Sequence, residues 1–311
     1  MLENNDEYSQ EELETLLKEK LKILNELEKV SKGSNYFQEL SDIALIQLQL
    51  GLFEESQKNY MLCLKFFQLL KDRLGQASVY GLLGTLFLKK KEFKSSIENF
   101  KSANDIYFEL SQIPEQITCL KGIGDALFNL DQLDQASDIF FKCSAIASDS
   151  NDIYSILDCL EKLISIYEKQ EDWDVVYELY GKTLESFSKL KDNQGMIISH
   201  FNLGIIKRNN GDYEEAIYQF KMGTNLSIES NIIELIIKGL SYVGECFFYQ
   251  GRLNESKNQY ISALHLAEQV KSKNAILQIQ ILLKSFGMSD SDIEADLALY
   301  RSKKFTNKIS E

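Results

Sequence analysis

The sequence has one proline, one tryptophan and two histidines in 311 residues. So little proline excludes proline-rich linkers and polyproline segments, and leaves almost nothing to interrupt a helix. His200 and His265 are the only imidazoles, which leaves little from which to build a histidine-based metal centre or acid–base pair. His200 falls on a position filled by Tyr80 and Leu240 elsewhere in the chain, which marks it as a packing residue. The five cysteines (Cys63, Cys119, Cys143, Cys159 and Cys246) are odd in number and show no C-x-x-C pair. Most of them sit where a small or buried side chain is required, so they read as reduced thiols, and the expected location is cytoplasmic.

Other absences narrow the function. There is no dinucleotide-binding glycine fingerprint, P-loop, nucleophile elbow, H-E-x-x-H pair or EF-hand loop, so neither a cofactor nor a metal is expected, and the chain does not read as an enzyme. No run approaches the about eighteen apolar residues that would cross a bilayer, which argues against membrane insertion. The opening stretch MLENNDEYSQ lacks both the basic start and the apolar core of a secretory signal. Basic residues are outnumbered, 34 against 47 acidic ones, giving a net charge of -13. Such a surface repels phosphate backbones, so nucleic acid is not expected as a partner, whereas a basic peptide or protein surface suits it.

What the sequence does contain is a repeat. Stepping back by forty from Tyr213 reaches Trp173, Leu133, Phe93 and Phe53, and stepping forward reaches Leu253. A larger ring recurs in the same phase as Tyr60, Phe100, Phe140, Tyr180, Phe220 and Tyr260. Within each forty-residue repeat the apolar spacing is helical, and a short polar turn divides it into two helices. In the fifth repeat these cover about Met196–Lys207 and Tyr213–Ile228, with Asn209, Asn210 and Gly211 as the turn and Asp212 as the N-cap of the second helix. A period of this length is the mark of a stacked array in which each repeat buries its apolar face against the next.

Small residues recur where helices must approach closely. The first helix carries Ala44, Gly84, Gly124, Gly204 and Gly244, and the second carries Ser56, Ser96, Ala136, Ala216 and Ser256. With the apolar residue before the first small site (Ile43, Leu83, Ile123, Leu163, Leu203, Val243), this pattern resembles the tetratricopeptide repeat over roughly residues 35–287. The resemblance implies an all-α fold, a right-handed superhelical solenoid of antiparallel helix pairs. The forty-residue length and the absence of a proline closing the second helix look like the long-repeat subclass of Pins-type scaffolds and, more distantly, kinesin light chains. The fourth repeat departs from the pattern with Ile164 and Val176 at the two small sites, so an irregular joint is expected between residues 160 and 180.

In chain order the reading is a capping helix within residues 1–33, six repeats over 34–270, a half-repeat and second cap over 271–300, and a basic tail over 301–311. The first cap opens with Ser9 and Glu12 as a capping box, and Leu13, Leu16, Leu17, Leu21, Leu24 and Leu27 form its stripe. Lys303, Lys304 and Lys308 read with Arg301 as a solvated end.

The resemblance also implies that the first helix of each pair lines a concave groove that holds a partner segment. Groove positions carried over from the family include Asp125, Phe128, Glu161, Glu168, Phe201, Ile205, Arg208, Glu245, Phe248 and Tyr249. Their mixture of carboxylates and rings suits a protein or peptide with basic and apolar side chains. The same residue types at helical spacing also serve as inter-repeat core, which is the alternative for Ile205 and Phe248. The lysine and asparagine pattern of chaperone-type domains that grip an acidic carboxyl terminus is not met, since Asp125 follows Lys121 and Ile198 stands where a base is wanted. Bacterial peptide-sensing regulators use long repeats too, behind a DNA-binding or three-helix segment, whereas one helix precedes the array here. The reading is a non-enzymatic interaction scaffold; the alternative is an assembly chaperone or regulator that sequesters a partner transiently.

Overall fold

The computed structural model describes residues 8–309, with side chains described to residue 302, and is helical throughout. The stretch read for a signal lies largely outside the described residues. The chain forms two compact units that meet inside one helix, at Ile166 and Tyr167. That point falls in the fourth repeat, where Ile164 and Val176 replace small residues; both side chains are buried.

The first unit holds α1 (Gln10–Val30), α2 (Ser34–Gln49), α3 (Phe53–Leu69), α4 (Arg73–Lys89), α5 (Phe93–Glu109), α6 (Ile113–Asn129), α7 (Leu133–Asp149) and most of α8 (Ile153–Lys169). The second holds α9 (Trp173–Leu190), α10 (Asn193–Asn209), α11 (Tyr213–Glu229), α12 (Ile233–Tyr249), α13 (Leu253–Gln269), α14 (Lys273–Ser285) and α15 (Asp290–Ile309). From α1 to α7 and from α9 to α15, helices adjacent in sequence pack against one another as antiparallel pairs, an all-α solenoid.

The backbone repeats at half the period of the side chains. A residue in the left-handed region closes a helix at 51, 71, 91 and so on, every twentieth residue to 271. At each, the amide of the next residue donates to the carbonyl five positions back, at 2.8 to 3.0 Å, which satisfies one of the orphan carbonyls at the helix end. That next residue then starts the following helix. Where it is Asp72, Asp152, Asp172, Asp192 or Asp212, its carboxylate accepts an amide of the new first turn, for instance Gly75 N–H at 3.0 Å and Gly195 N–H at 3.1 Å. Only Gly51, Gly211 and Gly251 of these twelve turns have a glycine at the left-handed site.

Small residues let the two helices of a pair close on a ring. Gly84, Gly124 and Gly204 each face the ring sixteen residues later, and an added Cβ would lie 2.7, 2.6 and 2.6 Å from Phe100, Phe140 and Phe220 respectively. The serines of the second helix are buried against the same spot. Ser56, Ser96 and Ser256 donate to the carbonyls of Ala44, Gly84 and Gly244 at 2.7, 2.8 and 2.6 Å, so each hydroxyl buried by the close approach is hydrogen-bonded.

The ends are closed as the apolar stripes dictate. Leu24 of α1, with Leu17 and Leu27, packs on the core formed by α2 to α4, while Leu21 stays 39% exposed. Ser9 and Glu12 form the capping box, with Ser9 N–H donating to the carboxylate at 2.7 Å. At the other end Ile293 and Leu297 of α15 join Ile279 and Leu283 in one core. Helix α15 continues to Ile309 through the segment read as a tail, and Arg301 pairs with Glu268 of α13. The side chains of Lys303, Lys304 and Lys308 lie outside those described. Pro114 is the second residue of α6, and in the first turn its missing amide has no intrahelical partner to lose.

Candidate partner-binding site

Each unit carries its own candidate face, formed by the first helices of its pairs. In the first unit, α6 and α8 lie side by side with opposite charges one turn out of repeat register. Lys121 hydrogen-bonds Asp158, and Lys162 Nζ lies 2.8 Å from Asp125 Oδ1, so the two pairs cross-link neighbouring first helices. Burial pulls Lys121 down, but its hydrogen bond to Asp158 and that carboxylate's charge outweigh it, and its pKa lies above the usual lysine value. A cavity of about 100 Å³ sits among these four side chains, Phe140 and Glu161. Glu161 is exposed and forms no ion pair among the described residues, and Phe128 is half-buried.

In the second unit the pairing recurs between α10 and α12. Arg208 Nη1 lies 2.5 Å from Glu245 Oε2, with the guanidinium also 5.8 Å from the centre of the Tyr242 ring. Beside it α12 ends in two exposed rings: Phe248 at 42% and Tyr249 at 54%. Tyr249 stacks on Tyr213 at 5.6 Å, and Phe248 meets Phe286 edge-on at 5.1 Å, so each ring is held on one side and open on the other. Glu168 is exposed at the end of α8.

Phe201 must be reassigned. It is 3% exposed, its ring lies against Gly223 and edge-on to Tyr242 at 5.7 Å, and it belongs to the core. Ile205 is half-buried against the same core. Asp158, Lys162, Tyr242 and Lys238, whose ammonium lies 5.7 Å from the Tyr242 ring centre, belong to this face and were not read from the sequence. The available signal was opposite charge at a spacing of 37, one helical turn short of the repeat, as in Lys121 with Asp158 and Arg208 with Glu245.

The residues that would suggest chemistry are occupied structurally. His200 is 7% exposed and its Nδ1 shares a hydrogen bond with Gln219 Oε1 at 2.8 Å. All five cysteines are buried and unpaired by disulfides, and burial pushes the Cys63, Cys119 and Cys246 thiols up to about 12. Among the described residues no cluster of three His, Cys, Asp or Glu side chains is placed to hold a metal ion, and no helix is long and apolar enough to cross a membrane.

No protein-family model matches the chain, and no curated sequence matches it. Solved structures do. The C-terminal part of a tetratricopeptide-repeat-containing protein from Cytophaga hutchinsonii superposes with a TM-score of 0.59 at 14% identity, over 86% of this chain and 98% of that one. The chain has the tetratricopeptide-repeat fold. The same solenoid is found in a multidomain signal transduction ATPase with a tetratricopeptide repeat sensor from Pyrococcus horikoshii (TM-score 0.54, 14% identity, 92% of this chain and 44% of that one). It is found again in aspartyl phosphate phosphatase F from Bacillus subtilis (TM-score 0.53, 16% identity, 84% and 66%). At such identities the likeness is one of backbone, and the exposed side chains are this tetratricopeptide solenoid's own.

Proposed function

We propose that this tetratricopeptide solenoid is a non-catalytic interaction scaffold that holds a protein segment with basic and apolar side chains against the face of its first helices. The observation that carries the reading is the pair Phe248 and Tyr249, held open to solvent beside the carboxylate of Glu245. Exposed rings fixed from one side cost little entropy to bind, and a neighbouring carboxylate selects for an arginine or lysine on the partner. Glu161 and Glu168 add exposed negative charge to the first helix of the fourth repeat. Five reduced thiols suit a reducing compartment, with the cytoplasm as the proposed location.

A second reading, a regulator that holds its partner only transiently, is favoured by one feature. Asp125 and Glu245 already have internal cations, Lys162 and Arg208, which an incoming base must displace. The experiment is affinity capture from native lysate with the wild type and a Phe248→Ala/Tyr249→Ala variant, quantified by mass spectrometry. Loss of both rings should weaken a true partner about tenfold or more, at roughly 1 kcal/mol per ring. An identical set of captured proteins at identical yield would exclude this face. Arg208→Ala, which frees Glu245, should raise the yield of the same partner.

A further inference from the structure

A second cavity lies away from that face, in the first unit, where the C-terminal ends of α5 and α7 meet the N-terminal half of α6. It measures about 770 Å³, within the range of sites that enclose small molecules. Phe108, Ile113 and Ile146 give it apolar walls, and Phe108 is 72% exposed. Asn104 lines it too, and its amide oxygen, buried within the protein, has no hydrogen-bond partner. Asp105 and Asp149 line it as well, and neither forms an ion pair among the described residues. One ammonium, Lys142, shares the lining and bonds neither.

The preceding repeat shows why the cavity is open here. Forty residues earlier, Arg73 at the start of α4 pairs with Glu109 at the end of α5 at 2.6 Å, a clasp across the equivalent place. In this repeat the acid is kept as Asp149 while the arginine is replaced by Ile113, and Leu120 stands where the preceding repeat has the larger Tyr80. The clasp has lost its cation and kept its carboxylate, with apolar surface added beside it.

We propose that this cavity binds a small organic cation with an aromatic or branched apolar body. The cationic nitrogen lies between Asp105 and Asp149, and the apolar body packs on Phe108, Ile113 and Ile146. The ring of such a ligand gains dispersion contacts that water does not supply, while the two carboxylates exclude anions of the same shape.

The test is calorimetric titration of the full chain with tryptamine as the probe. Saturable one-site binding with a dissociation constant below about 1 mM is expected for a ligand of this size. Asp105→Asn with Asp149→Asn should weaken it at least tenfold. Ile113→Arg, which rebuilds the clasp, should do the same with circular dichroism unchanged, because Ile113 is already 37% exposed. Indole-3-propionate, an anion of matching shape, should not bind. Absence of saturable tryptamine binding, equal binding of the anion, or undiminished binding to the folded Ile113→Arg protein would each overturn the assignment. None of these outcomes bears on the rings of α12.

Discussion

Gly204→Val is expected to destabilise the second unit by about 3 kcal/mol or more, a large loss for a single side chain. The reason is local: a Cβ at 204 would lie 2.6 Å from the Phe220 ring, and that ring is fully buried between helices that have no room to part. A branched side chain adds two more atoms in the same gap. Gly81 gives the contrast, since it also lies within a first helix, yet nothing stands within 4 Å of its added Cβ. Gly81→Ala should therefore stabilise by about 1 kcal/mol, the ordinary helix preference for alanine. Urea unfolding followed by circular dichroism checks both. Because an array of repeats need not unfold in one step, the midpoint of the lowest transition is the quantity to compare. Equal midpoints for Gly204→Val and the wild type would show that the ring does not lie on the glycine.

The second large effect runs the other way. Lys71, Lys91, Lys191 and Lys271 hold φ values of 54°, 61°, 56° and 56°, where a side chain crowds the backbone and glycine does not. All four are exposed and form no ion pair among the described residues. Replacing each by glycine removes the crowding at some cost in unfolded-chain entropy, a net gain of about 0.5–1 kcal/mol per site. The sites are far enough apart to add, so the quadruple variant should gain roughly 2–4 kcal/mol and melt several degrees higher. Lys101→Gly, in the middle of α5, should instead lose about 1 kcal/mol. A quadruple variant that melts below the wild type would contradict the turn geometry.

The forty-residue frame was legible because packing forces it. A ring such as Phe220 has a small partner such as Gly204 in every repeat but the fourth, and both residue types stand out in a helical sequence. The twenty-residue backbone period was hidden because first and second helices bury different side chains. Its left-handed site is also filled by lysine, serine, glutamate and asparagine as readily as by glycine. Phe201 was misplaced for a related reason: a family position that faces the groove in one repeat turns into the core where Gly223 opens a gap beside it. The ion pairs escaped because neighbouring first helices sit one turn out of register, so partners lie 37 residues apart and not 40. The basic tail was read from charge alone, without the Arg301 contact to Glu268 that only a folded α13 provides.

Recognition on the first helices is read out by hydrogen–deuterium exchange on the solenoid bound to a captured partner. The expected result is new protection in α10 and α12, strongest around Glu245 to Tyr249, with α11 and α13 unchanged. Protection confined to α11 and α13, with α12 exchanging as in the free protein, would contradict it.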